Sequence, residues 1–392
     1  MIQALVNAFK IADLRKKLLF TFFIIAVYRL GAHIPTPGID VTKLKPLFEQ
    51  SALLGFLNVF TGGALEEFAV FALGIMPYIT AAIIMELLTV VIPQVEELMK
   101  QGEEGRRKIT QWTRYLTLFL CFTQAVAIVS FVQGTLKISL PLANKVIIVV
   151  TLVTGGVVVM WLGELITQRG VGNGMSILIF ISIISRFPQA ILETIQVASP
   201  FFIGLVVLVV AFVFAAIIFI EEGQRRIPVS YAKRVVGRKV YGGASTYLPV
   251  KINSAGVIPI IFASSVLLFP ASLARFFTSP FFQKISQLFD INQPLYLITY
   301  FLLIIFFTFF YSEIVFNPLR LADDLKKWGG FIPGVRPGRP TAEYINKVLS
   351  RVTFPGAVFL GLVALFPTIL LAQTRVPFFK FFGGTSILIT VG

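Results

Sequence analysis

Two carboxylates stand inside long apolar runs, and an ionisable group in such a place is costly enough to be a functional suspect. Glu86 sits in Ile83-Ile84-Met85-Glu86-Leu87-Leu88, and Glu313 lies near the inner end of a later run. Glu313 is close enough to the interface to snorkel. Glu86 is deeper, and fits either a proton or ion ligand of a transporter or a polar group at a helix seam. Other reactive residue types are scarce. Cys121 and His33 each occur once, which excludes an intrachain disulfide framework and a four-ligand zinc site. Cys121 reads as a small buried thiol and His33 as a loop or interface residue at a helix end, so neither is a site candidate. Arg169-Gly170-Val171-Gly172-Asn173-Gly174 invites comparison with a phosphate-binding glycine loop, but no strand precedes it and the spacing is wrong. It reads instead as a turn that lets helices approach closely. No P-loop ending, His-Glu-x-x-His or nucleophile elbow occurs. No catalytic residue, cofactor or metal is therefore expected, and any energy source must be a partner or a gradient.

The elements that carry these residues belong to a membrane protein. The 392 residues are 56% hydrophobic and 14% charged, where soluble domains carry roughly 25% charge. Apolar windows long enough to cross a bilayer as helices recur. They run about Leu18 to Ala32, Ile75 to Ile92, Tyr115 to Val132, Val146 to Leu162, a short Val171 to Ile184, Phe201 to Ile220, Ala255 to Leu273, Leu295 to Val315 and Val352 to Leu371. A tenth begins near Ser386 and is cut short at Gly392, so the natural chain is expected to continue. Unbroken apolar runs exclude the alternating pattern of a membrane barrel. The expected fold is an all-α polytopic membrane protein of ten transmembrane helices.

Charge placement gives the orientation. On alternate sides Lys and Arg number 24 against 10, which satisfies the positive-inside rule with both ends cytoplasmic. The first span follows Lys10, Arg15, Lys16 and Lys17 without a cleavage pattern and reads as a retained helix. Five spans precede the connection over 186–200 and five follow it. The second half therefore enters from the opposite face, as in inverted repeats with a path between halves. The expected division is 1–185, an outer hinge connection over 186–200, and 201–392.

Two regions do not fit simple spanning. Gly62-Gly63 is followed by Ala64 to Leu73, an apolar run long enough for about three helical turns, with Glu66 and Glu67 in the first turn where the helix dipole favours acid. It reads as a re-entrant, half-height helix, with a surface amphipathic helix as the alternative. Residues 221–251 and 317–351 form long basic inner loops. Their size exceeds what orientation needs, so they suit docking to something acidic: ribosomal RNA, a motor protein or anionic lipid.

Several stretches together resemble the SecY family of protein-conducting channel subunits. They are Gly74-Ile75-Met76-Pro77-Tyr78-Ile79, Arg169 to Gly174, Gly223-Gln224-Arg225-Arg226-Ile227, Tyr231-Ala232-Lys233-Arg234, Ala255-Gly256-Val257-Ile258-Pro259, Phe331 to Gly338, and Phe382-Gly383-Gly384-Thr385-Ser386. The resemblance implies two inverted pseudo-symmetric halves and a plug at about 61–73, including Gly62, Gly63, Ala64, Leu65, Glu66, Glu67 and Phe68. It implies an apolar pore ring of Ile75, Ile79, Met175, Ile179, Ile261 and Ile389, which blocks hydrated ions by dewetting. It also implies a lateral gate carrying Glu86, Asn253, Ser264 and Ser265. Polar pairs across such a seam are worth only about 0.6 to 2 kcal/mol, a suitable size for a seam that opens. By the same resemblance, Arg225, Arg226, Lys233, Arg238 and Lys239 contact the ribosome (rRNA), while Arg336, with Arg339 nearby, serves the SecA motor ATPase. Implied partners are SecE, SecG, signal sequences, nascent polypeptides and membrane lipids, in the bacterial plasma (inner) membrane. The chain departs from the family in Glu86, where Gln is common, in Met175, and in Asn317-Pro318-Leu319-Arg320.

Three functions are thus weighed: a passive channel that moves unfolded polypeptides across the membrane and helices laterally into it, a proton-coupled secondary transporter working through Glu86, and a membrane-embedded enzyme. The last lacks any catalytic constellation.

Overall fold

A computed structural model describes residues 9–37, 55, 58–136, 141–231, 234–236, 239–241, 245–274, 293–374 and 384–391. Helices cover the apolar runs: α1 Ala12–His33, α2 Met76–Val91, α3 Pro93–Lys100, α4 Glu103–Leu136, α5 Leu142–Arg169, α6 Gly174–Ile184, α7 Phe187–Val197 and α8 Pro200–Glu222. After the strands β1 Gln224–Tyr231, β2 Arg234–Val236, β3 Lys239–Tyr241 and β4 Ser245–Lys251 come α9 Ile258–Ala274, α10 Pro294–Val315, α11 Pro318–Lys327, β5 Gly330–Phe331, α12 Arg339–Thr374 and α13 Gly384–Val391. Among the described residues six helices are long and apolar enough to cross a bilayer. They become seven if α2 and α3, bent by 98° at the break before Pro93, count as one span. The protein is a polytopic helical membrane protein. The connection after α6 is not open chain, because α7 occupies most of it.

The chain forms two compact units, one built mainly on residues up to Val197 and the other on Ala198–Ser264 with Leu297–Arg375. In the first, α2 and α5 both pack on α4, and α5 also packs on α1 and α6. Its core joins Leu65, Phe68, Ala72 and Leu73 to Cys121, Ala125, Val129 and Val132 of α4 and to Ile148 and Leu152 of α5. Cys121 is a buried free thiol, as its apolar setting implied.

The second unit adds a small sheet outside its membrane helices, which are α-helical as expected. The two inner loops are one folded body with a three-stranded antiparallel sheet ordered β4-β1-β5. β1 pairs with β4 from Gln224 opposite Lys251 to Ser230 opposite Ser245. It also pairs with β5 of the other loop through Ser230 opposite Phe331 and Tyr231 opposite Gly330. The reason is a period-two pattern. Ile227 and Val229 are buried while Arg226 and Pro228 are exposed, as a strand with one covered face requires. Ile227 and Val250 then close a core with Ile332, Ile345 and Leu349, so residues from both loops share one apolar centre.

Candidate plug, gate and docking residues

The plug candidate begins with two turns that only glycine makes without strain. Gly62 and Gly63 have φ of 65° and 93°, in the left-handed region where a Cβ is costly. Space matters as much as backbone here: a Cβ on Gly63 would run into the guanidinium of Arg186. Beyond them the expected half-height helix over 64–73 is not formed. The segment is instead a succession of tight turns, with Ala64 N donating to Thr61 O, Phe68 N to Leu65 O, Ala72 N to Ala69 O and Gly74 N to Phe71 O. Phe68 carries the positive φ of 44°, the one such non-glycine among the described residues. That conformation interrupts any helix and costs about 1–3 kcal/mol. It is held by burial of the Phe68 ring and by an isolated antiparallel bridge of Pro35 with Ala69. Thr36 N donates to Phe68 O at 2.9 Å, and Val70 N to Ile34 O at 2.9 Å.

Its acids are bound in place. Glu66 accepts from Arg186 Nη2 at 2.8 Å and from Asn58 Nδ2 at 2.8 Å, both on Oε2, while its own N–H donates to Asn58 Oδ1 at 3.0 Å. Glu67 Oε2 meets His33 Nδ1 at 2.8 Å, and His33 Nε2 lies 3.0 Å from Arg29 Nη2. Arg29 Nη1 donates to Gly62 O and to Ser185 Oγ, each at 3.1 Å. Behind them Tyr28 bonds Ser182 at 2.7 Å and stacks on Phe71. Sequence reading missed Arg29, His33, Asn58 and Arg186. In the sequence, Arg29 and Arg186 are two of the ten basic residues counted on the outer side, and His33 is a helix-end residue. The available signal was Arg29 one turn before His33 at the end of an otherwise apolar span.

Of the pore-ring candidates in the first unit, Ile75 caps α2 after Gly74, and Ile79 is one turn on. Both are buried. Met175 and Ile179 share a face of α6. Asn173 Oδ1 caps that helix by accepting from Met175 N at 3.0 Å, and the glycine-rich turn before it hands Gly174 N to Thr167 Oγ1 at 2.8 Å. The Met175 thioether lies against Gly163 of α5. In the second unit Ile261 is on α9 and Ile389 on α13, each 9% exposed.

Among the gate candidates, Glu86 is half-buried on α2. Asn253 is buried and donates from Nδ2 to Glu221, at the end of α8, and to Gly256 O at 3.1 Å. Ser264 returns its hydroxyl to Ile261 O at 2.9 Å within α9. The Ser265 hydroxyl is buried without a hydrogen-bond partner among the described residues.

On the body built from the two inner loops, Arg225 and Arg226 are exposed on β1, with the Arg226 guanidinium 4.8 Å from the centre of the Tyr247 ring. Lys239 belongs to β3. Lys233 and Arg238 lie outside the described residues. Arg336 is exposed in the turn between Gly334 and Gly338, both at positive φ, where its carbonyl accepts from Thr341 Oγ1 at 2.8 Å. Arg339 opens α12 beside Glu343 at 3.8 Å, both well exposed.

The family model SecY matches residues 69–392. A protein translocase subunit SecY of Streptomyces scabiei is 51% identical over 416 residues, covering 100% of this chain and 95% of its own. The corresponding Mycobacterium tuberculosis protein is 44% identical over 425 residues with the same coverage. Among solved structures, a protein-conducting channel shares the fold at a TM-score of 0.67 and 19% identity, over 96% of this chain and 89% of that one. A SecY structure described for its plug domain matches at 0.65 and 20% identity, with the same coverage. With the family model matching from the plug candidate to the last residue, and identity to translocase subunits extending over the whole chain, this protein belongs to the SecY family.

Proposed function

We propose that the chain is the central pore-forming subunit of a bacterial protein translocase. It is a multi-pass protein of the inner membrane and a non-catalytic channel for unfolded polypeptides. The observation that carries this reading is the end-to-end identity with translocase subunits. The finer reading follows the sequence. Ten spans lie in two inverted halves, 1–185 and 201–392, joined by 186–200, with both termini cytoplasmic. Ile75, Ile79, Met175, Ile179, Ile261 and Ile389 form the constriction, whose apolar side chains offer a passing chain nothing to bind. Residues 61–73 seal it from outside, and Glu86, Asn253, Ser264 and Ser265 lie along the lateral seam. The body built from the two inner loops supports docking of SecA and the ribosome, and SecE and SecG complete the complex.

The test is ATP-driven import of a signal-bearing precursor into vesicles holding this chain with SecE and SecA. Import is expected, and its absence would overturn the reading. Glu86→Gln should leave that import within about fivefold, since a polar seam contact is worth roughly 1 kcal/mol. A dependence of solute uptake on Glu86 would instead favour the proton-coupled transporter.

Arg336→Glu places an acid at the exposed apex of the docking turn. It should lower motor-driven import by about tenfold or more while the channel stays inserted, because reversing one charge at a complementary contact costs more than removing it. Normal import by that variant would remove the motor role from Arg336.

A further inference from the structure

We propose that Arg186 is the catch that holds the plug shut, acting as a positioning residue through Glu66. This deepens the channel reading above and rests on it. Arg186 stands in the turn between α6 and α7, outside the plug segment. Its Nη2 reaches Glu66 at 2.8 Å and its Nη1 reaches Gln189 of α7 at 2.7 Å, so one guanidinium bridges plug and helix corner. Gln189 Nε2 continues the chain to Glu193 at 2.8 Å. The side chains of Arg186 and Glu66 are only 11% and 20% exposed, so water cannot fully replace either partner when the bond breaks. An added Cβ on Gly63 would displace the guanidinium, and the Asn58 amide donates to the same Glu66 oxygen.

The neighbouring charges give the catch its direction. Arg29 and Arg186 approach the same plug segment, one at Gly62 O and the other at Glu66. His33 reaches Glu67 beside them. Every acid that compensates the two arginines in these contacts, Glu66 and Glu67, belongs to the plug itself. Displacing the plug removes both acids at once and leaves two like charges near each other, so opening is opposed by more than one lost contact. An apolar plug held only by Leu65, Phe68 and Leu73 would lack that penalty.

The experiment measures passive ion efflux from vesicles holding the full chain with SecE. It compares Glu66→Gln, Arg186→Gln, the double variant and a channel lacking residues 61–73. The plug-deleted channel should leak, each single variant should raise efflux about tenfold, and the double should leak no more than the worse single, because both remove the same bond. Thermal melting in detergent accompanies each measurement. If the deletion leaks but either single stays tight, even with a lowered melting temperature, the catch is overturned and the plug stands. Effects that multiply in the double variant likewise overturn it, since the two residues would then act independently. If the deletion itself stays tight, the plug reading falls and the catch with it.

Discussion

Ile345→Asp should unfold the cytoplasmic body and abolish motor-driven import while the membrane helices remain. Ile345 is fully buried in a core shared by the two inner loops. A carboxylate there has no cationic partner within that apolar cluster, and burying it costs about 4 kcal/mol. Small bodies of this size have little stability to spare. Limited proteolysis reads the result directly, as rapid cleavage within 224–251 and 317–351 where the parent chain resists. Ile227→Asp should give the same cleavage in both loops, although it lies in the other one, because β1 pairs with both β4 and β5. Cleavage confined to the mutated loop would show that the two fold separately.

The second large effect is expected at Gly155. A Cβ on this residue of α5 would run into the carbonyl oxygen of Val70. Backbone cannot swing aside as a flexible side chain can. Gly155→Leu therefore overpacks the site, with a cost of about 3 kcal/mol, and pushes the segment that carries Phe68 and Ala72 away from α4 and α5. A lower melting temperature in detergent together with raised ion efflux is the expected pair of readouts. A variant that melts lower but stays tight would mean that the plug tolerates displacement from α5. Gly134, where an added Cβ meets nothing within 4 Å, is the control: Gly134→Ala should change neither.

What could be read from the sequence followed the strength of each local signal. Apolar runs bounded by charge, Pro and Gly marked the helices, because a bilayer-length window leaves few alternatives. Turn chemistry was harder. Ala64 to Leu73 has helical composition, yet Gly62, Gly63 and Phe68 at positive φ make it a string of turns. The bond from Thr36 that holds Phe68 comes from a distant part of the chain. The inner loops hid their sheet for a similar reason. β5 is two residues long and becomes a strand only by pairing with β1. The plug's polar fastening was invisible because Arg29, Asn58, Glu66 and Arg186 are scattered through three segments and meet only in space. Relatedness, by contrast, was carried by short motifs such as Gly74-Ile75-Met76-Pro77 and Phe331-Ile332-Pro333-Gly334.

Helix α12 runs unbroken for 36 residues from Arg339 to Thr374, about 54 Å at 1.5 Å per residue. Its first turns hold Ile345 and Leu349 in the cytoplasmic core, and its later turns belong to the apolar stretch that ends near Thr374. A load applied to the body built from the two inner loops is thus delivered into the bilayer along one rod. Pro355 and Pro367, each lacking a backbone donor, are the joints at which that rod can flex.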